Sequence, residues 1–114
     1  MRKIEGDQAL MRVFVGESDQ WEHRPLYMSL LELFRAQGLA GATVLRGIAG
    51  FGANSVIHTA TLFRLSSDLP IIVEVVDSEE RLRAVLPEVD RRMKGGLITI
   101  ERVQVVHYDK RARD

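Results

Sequence analysis

The chain contains no cysteine, which removes disulfides, zinc–thiolate sites and thiol nucleophiles from consideration. That absence accords with a reducing compartment. No run of about 18 apolar residues occurs, so no segment reads as a membrane-spanning helix. The opening Met1-Arg2-Lys3-Ile4-Glu5-Gly6-Asp7 lacks the apolar core of a secretory leader, and the expected location is the cytoplasm. Net charge is missing too: 16 Lys and Arg balance 16 Asp and Glu. Without a large positive field, nothing draws in nucleic acid or an anionic membrane. The last strand also lacks the aromatics of an RNA-reading sheet. His23, His58 and His107 lie far apart with no carboxylate at ligand spacing, so no metal site is expected. Ser18, Ser55, Ser66 and Ser67 have no neighbouring base and form no nucleophile elbow. Glu17 and Asp19 are the nearest thing to an acid–base pair, and they fit better as the end of a strand. The chain is not expected to be an enzyme.

What is present is a globular composition. The 114 residues are 46% hydrophobic, enough for one domain that buries roughly 65% of its unfolded surface. Residues 1–8 read as an N-terminal extension, 9–108 as the domain and 109–114 as a charged tail. Residues 9–15 alternate as a strand, with Met11, Val13 and Val15 on one side and Leu10, Arg12 and Phe14 on the other. A helix is expected from Arg24 to Gln37, with Pro25 in its first turn and Gly38 as its stop. Thr43-Val44-Leu45-Arg46 is a short strand that runs into the glycine-rich turn Gly47-Ile48-Ala49-Gly50-Phe51-Gly52. Ile57 to Leu65 alternate again, and Pro70 to Val76 form a β-branched strand; the two segments are either separate or one hairpin. Asp77 is expected to cap a second helix, with Glu80 completing a capping box. Leu82, Val85, Leu86, Val89 and Met93 make its apolar stripe, and Pro87 should kink or split it. In the last strand, Leu97 to His107, the apolar parity switches at Glu101-Arg102, which predicts a bulge.

Two helices among about four strands, close to β-α-β-β-α-β, predict an α+β fold: a ferredoxin-like split sandwich with an antiparallel sheet and both helices on one face. The other sheet face would carry Phe, Leu, Ile and Val, which predicts burial against further copies of the chain.

The stretch Gly41-Ala-Thr-Val-Leu-Arg-Gly-Ile-Ala-Gly-Phe-Gly52, with His58-Thr59-Ala60, Asp68-Leu69-Pro70 and Val75-Val76-Asp77, resembles the PII-like proteins of domain of unknown function family 190. Gly16-Glu17, Pro25-Leu26-Tyr27 and Gly95-Gly96-Leu97 fit the same pattern, and the resemblance covers residues 9–108. Behind that family stand the nitrogen-regulatory PII proteins, ferredoxin-like trimers that bind adenine nucleotides in clefts between subunits. The resemblance therefore implies a signalling homotrimer. Thr43-Val44 and Gly50-Phe51-Gly52 look like the PII strand start and loop base, and Lys94-Gly95-Gly96 like its phosphate loop. The mobile loop would be short, Ala53 to Ile57, and the phosphate loop is cut down. The implied ligand is AMP or ADP rather than ATP. Relatives are often encoded beside fluoride-export channels, so a membrane-transport protein is an implied partner.

The nucleotide site implied by the resemblance comprises Thr43, Arg46, Gly47, Gly50, Phe51, Gly52, His58, Lys94, Gly95 and Gly96. Glycines let backbone N–H groups approach a phosphate closely, although they serve equally as a bend that lets the strand leave the sheet. Arg46 offers a guanidinium fork and Lys94 a point charge. Phe51 either stacks on a base or plugs a subunit contact. Two rival readings are a nucleotide-free oligomeric interaction module and a small enzyme using His58 or Glu74.

Overall fold

A computed structural model describes residues 3–52, 58–59 and 68–109. In chain order the elements are β1 (Gly6–Gly16), β2 (Gln20–Trp21), β3 (Arg24–Pro25), α1 (Leu26–Ala36), β4 (Ala42–Arg46), β5 (Ala49–Gly50), β6 (His58–Thr59), β7 (Pro70–Asp77), α2 (Glu79–Arg92) and β8 (Leu97–Val105). The main sheet has the order β4-β7-β1-β8, with every pairing antiparallel. Each helix connects strands that are parallel to each other with a third strand between them, which is the split β-α-β arrangement.

The two periodicities of the sequence meet in one core. Met11, Val13 and Val15 of β1 and Ile71, Val73 and Val75 of β7 are buried on the helix-covered face. Leu26, Leu30, Leu33 and Phe34 of α1 and Leu82, Val85 and Val89 of α2 close over them. Each such side chain removed from water contributes about 1.5–3 kcal/mol.

The opposite face is built in rows that follow the strand register. Leu45, Ile72, Phe14 and Leu97 stand side by side across all four strands. Leu45 and Leu97 remain 42% and 56% exposed. The next row is polar: Thr43, Glu74, Arg12 and Thr99. Arg12 donates to Glu74 at 2.8 Å and to Glu101 at 2.5 Å, and both carboxylates raise its pKa. Below this belt the chain covers its own sheet. The Tyr108 hydroxyl donates to the Ala40 carbonyl at 3.1 Å, the Tyr108 N–H donates to the Glu5 carboxylate at 3.1 Å, and Ile4 is buried. A hollow of about 280 Å³ lies under this strap, lined by Ile4, Leu10, Thr43, Val76, Val105 and Tyr108 among others.

Several expectations are corrected. The first strand is longer than residues 9–15 and starts at Gly6. The first helix begins at Leu26, not Arg24, because Arg24 and Pro25 pair with Gln20 and Trp21 in a small hairpin. Its turn residues Glu22 and His23 take φ of 50° and 65°, the left-handed pair that a two-residue turn requires. The cap of α2 is Ser78, whose hydroxyl accepts from the Arg81 N–H, while Asp77 is the buried last residue of β7. Pro87 does not split α2, which runs unbroken from Glu79 to Arg92; Val85 and Val89, buried on either side of it, hold both halves on the sheet. No bulge occurs at Glu101-Arg102, since β8 pairs with β1 in one register from Leu97 to Val105. The parity switch reflects cover instead: Ile98 and Ile100 lie toward the helices, whereas Val105 lies toward the strap. The expected strand from Ile57 to Leu65 lies outside the described residues apart from His58 and Thr59, as does the short loop 53–57.

Candidate functional site

One end of the sheet gathers nearly all the residues that the glycine-rich motif singles out. β1 and β4 finish there, and β7 and β8 begin there. At the β4 edge, the Gly47 N–H donates to the Pro70 carbonyl at 2.7 Å. A Cβ on Gly50 would come within 2.7 Å of the Pro70 ring, and one on Gly47 within 3.3 Å. These two positions are glycine because the turn lies directly on that ring. Gly50 pairs with His58, and Ala49 with Thr59. Ile48 and Phe51 project from this turn, 81% and 73% exposed; Gly52, at its end, is exposed as well.

Arg46, the last residue of β4, forms an ion pair with Glu17, just past the end of β1. The two partners differ in freedom: the Glu17 side chain is 12% exposed and the Arg46 side chain 61%. Glu17 is anchored through its backbone, whose N–H donates to the Leu69 carbonyl at 2.8 Å. Ser18 Oγ donates to Asp68 at 2.7 Å and the Gly16 N–H donates to Asp19 at 2.9 Å, which fixes the turn that carries Glu17.

Lys94, Gly95 and Gly96 occupy the same end of the sheet at the opposite edge, ahead of β8. Gly96 has φ of +106°, and a Cβ there would collide with the carbonyl oxygen of Phe14. Lys94 and Gly95 are exposed. The loop leaves a helix end that is firmly held. Glu88 accepts from both Arg91 and Arg92, at 2.6 and 2.9 Å, and these cations pull its carboxyl down to about 2. Arg92 also donates to the Ser29 carbonyl at 3.1 Å and lies 4.0 Å from the centre of the Trp21 ring, with Arg91 at 5.7 Å. The β2–β3 hairpin is thereby fastened to the end of α2 that presents Lys94 to Gly96.

The structure thus places Arg46, Gly47, Gly50, Phe51, Gly52 and the backbone of His58 together, and Lys94 to Gly96 across the sheet from them. β7 and β1 separate the two groups, roughly 14 Å at the usual strand spacing, so one chain does not close them around a common ligand. Thr43 belongs to neither group; it lies in the polar row and lines the hollow under the Tyr108 strap. Three residues of this end were not singled out in their present roles: Glu17 as the partner of Arg46, Pro70 as the seat of the glycines, and Trp21 as the stacking partner of Arg92. Glu17 and Arg46 are 29 residues apart in sequence, so only the parallel placement of β1 and β4 reveals their meeting.

This architecture, a split antiparallel sheet with two helices on one face, is the fold of PII-like proteins. The fold matches CPII of Thiomonas intermedia, a nitrogen regulatory PII-like protein solved with ADP, AMP and bicarbonate, at a TM-score of 0.62 and 15% identity over 92% of this chain and 94% of that one. A second CPII structure, bound to ADP and bicarbonate, gives 0.58 at 16% identity, over 92% and 95% of the two chains. Within that fold the chain belongs to the DUF190 family, described as "Uncharacterized ACR", whose model matches residues 8–105. A UPF0166 protein of Aquifex aeolicus is 43% identical over 98 residues, covering 86% of this chain and 92% of the relative. Another, from Methanocaldococcus jannaschii, is 37% identical over 92 residues, covering 80% and 84%.

Proposed function

We propose that this chain is a PII-like signalling module that binds AMP or ADP in preference to ATP, in clefts between the copies of a homotrimer, and catalyses no reaction. One observation carries the reading. The glycine turn with Arg46 and the loop Lys94 to Gly96 share one end of the sheet but occupy opposite edges. In the proposed ring of copies related by rotation, the β4 edge of one would meet the β8 edge of the next. Each junction then holds one glycine turn and one basic loop, a cradle of N–H groups with a guanidinium and an ammonium for phosphate. Binding of ADP and AMP by CPII, which shares the fold, supports the same ligand class. The exposed turn carrying Ile48 and Phe51 is where a bound nucleotide would change the surface offered to a partner protein, a membrane transporter being the one that the family resemblance implies.

Calorimetry with AMP, ADP and ATP, each with and without bicarbonate, tests the ligand. Heat and a thermal shift with AMP or ADP, stronger than with ATP, are expected. Their absence at millimolar nucleotide overturns the reading and favours the nucleotide-free interaction module, for which the exposed Ile48 and Phe51 are the natural contact pair. Light scattering tests the assembly. The expected particle is three times the 12.9 kDa chain, and Phe14→Asp, which places a charge in the apolar row of the open face, should shift it to the single-chain mass. A single-chain mass for the unaltered protein at micromolar concentration would refute the trimer.

A further inference from the structure

We infer that Glu17 is a resident competitor for the phosphate partner Arg46, so that ligand entry and release of the Glu17–Arg46 pair are one exchange. The inference rests on the nucleotide reading above and adds to it a residue that tunes the affinity of the same site.

The asymmetry of the pair is the starting point. Glu17 cannot follow its partner: its side chain is 12% exposed, its N–H is bonded to Leu69, and the turn around it is fastened by Ser18 on Asp68 and by Gly16 on Asp19. Arg46 is 61% exposed, at the free end of an edge strand, immediately before Gly47. Its backbone is fixed by the pairing with Ile71, but its guanidinium can swing.

A carboxylate and a phosphate ask the same of a guanidinium, two acceptor oxygens facing its fork of N–H donors. With Glu17 engaged, part of that fork is occupied. A phosphate at the glycine turn must draw Arg46 away and leave a nearly buried carboxylate without its cation, which is unfavourable. The binding-competent form is the minor one in which Arg46 is free. If that form is populated about one part in ten, apparent affinity falls about tenfold below the intrinsic value.

The same exchange gives the ligand a mechanical consequence. Glu17 sits past the end of β1 and Arg46 at the end of β4, with the start of β7 between them. The pair clasps three strand ends across Leu69 and Pro70, the residues that hold the backbone of Glu17 and Gly47. Ligand entry opens that clasp at the root of the turn carrying Ile48 and Phe51.

The test is AMP titration of the full chain as the unaltered protein, Glu17→Gln, Arg46→Gln and the double variant, with the Nε–H signals of arginine followed by NMR in the unaltered protein. Glu17→Gln is expected to bind AMP about tenfold more tightly, and the gain should vanish in the double variant. Unchanged or weaker binding by a folded Glu17→Gln overturns it, as does equal binding by Arg46→Gln, although in both cases the nucleotide reading survives. No binding by any of the four proteins fails the nucleotide reading and the exchange together. Should Glu17→Gln not fold, the NMR arm decides: AMP must move one arginine signal that is absent in Arg46→Gln, and an unmoved signal refutes the exchange.

Discussion

Gly96→Ala should lower the stability of the protein by about 3 kcal/mol or more, although it adds one methyl group. The backbone at Gly96 has φ of +106°, a region that side chains rarely enter, and its new Cβ would run into the Phe14 carbonyl. Met93 also lies within 2.8 Å of that point, but its methyl end can turn aside. Phe14 cannot: it is paired to Ile72 on one side and Leu97 on the other, in the middle of the sheet. The loop must therefore move, and with it the placement of Lys94. Gly95→Ala is the control. Nothing lies within 4 Å of a Cβ there, and a change within about 0.5 kcal/mol is expected. Urea unfolding of the two variants measures the contrast; equal midpoints would mean that the contact with Phe14 does not dictate glycine.

Asp77→Ala should cost about 2–4 kcal/mol. Asp77 is wholly buried at the end of β7, and its two oxygens accept from the Ala40 N–H at 2.9 Å and the Ser78 N–H at 2.7 Å. Alanine leaves both partly buried N–H groups without this acceptor. Asp77→Asn retains one acceptor oxygen and should lose roughly half as much. Hydrogen exchange gives a second readout: the amide of Ala40 should lose protection in Asp77→Ala before the core amides of β1 do. Retained protection at Ala40 would show that the carboxylate is not what fastens the α1–β4 connection.

The helix-facing core was legible because strands and helices impose different periods on the same apolar residues. Met11, Val13 and Val15 and the α2 stripe needed no further information. Misreadings arose where cover comes from elsewhere in the chain. Val105 looks out of phase with Ile98 and Ile100 until Tyr108 and Ile4 are seen closing the far side of the sheet. Asp77 and Ser78 are both chemically fit to cap a helix; burial assigns Asp77 to the strand, and sequence carries no signal for that. The β2–β3 hairpin stayed hidden because Glu22-His23 is not a residue pair that favours a left-handed turn. At the candidate site the glycines announced themselves. What they lean on, Pro70, and what holds Arg46, Glu17, are set by strand order, which joins positions far apart in the chain.

Trp21 is the sole tryptophan of the chain, and it stands against two guanidinium groups at the root of the Lys94 to Gly96 loop. Nature has thus installed an optical probe where the proposed ligand would arrive. Indole emission depends on nearby charge and water, so a rearrangement of this loop can be timed in a stopped-flow instrument without a label. The kinetics of the module, and not only its equilibria, are open to direct observation.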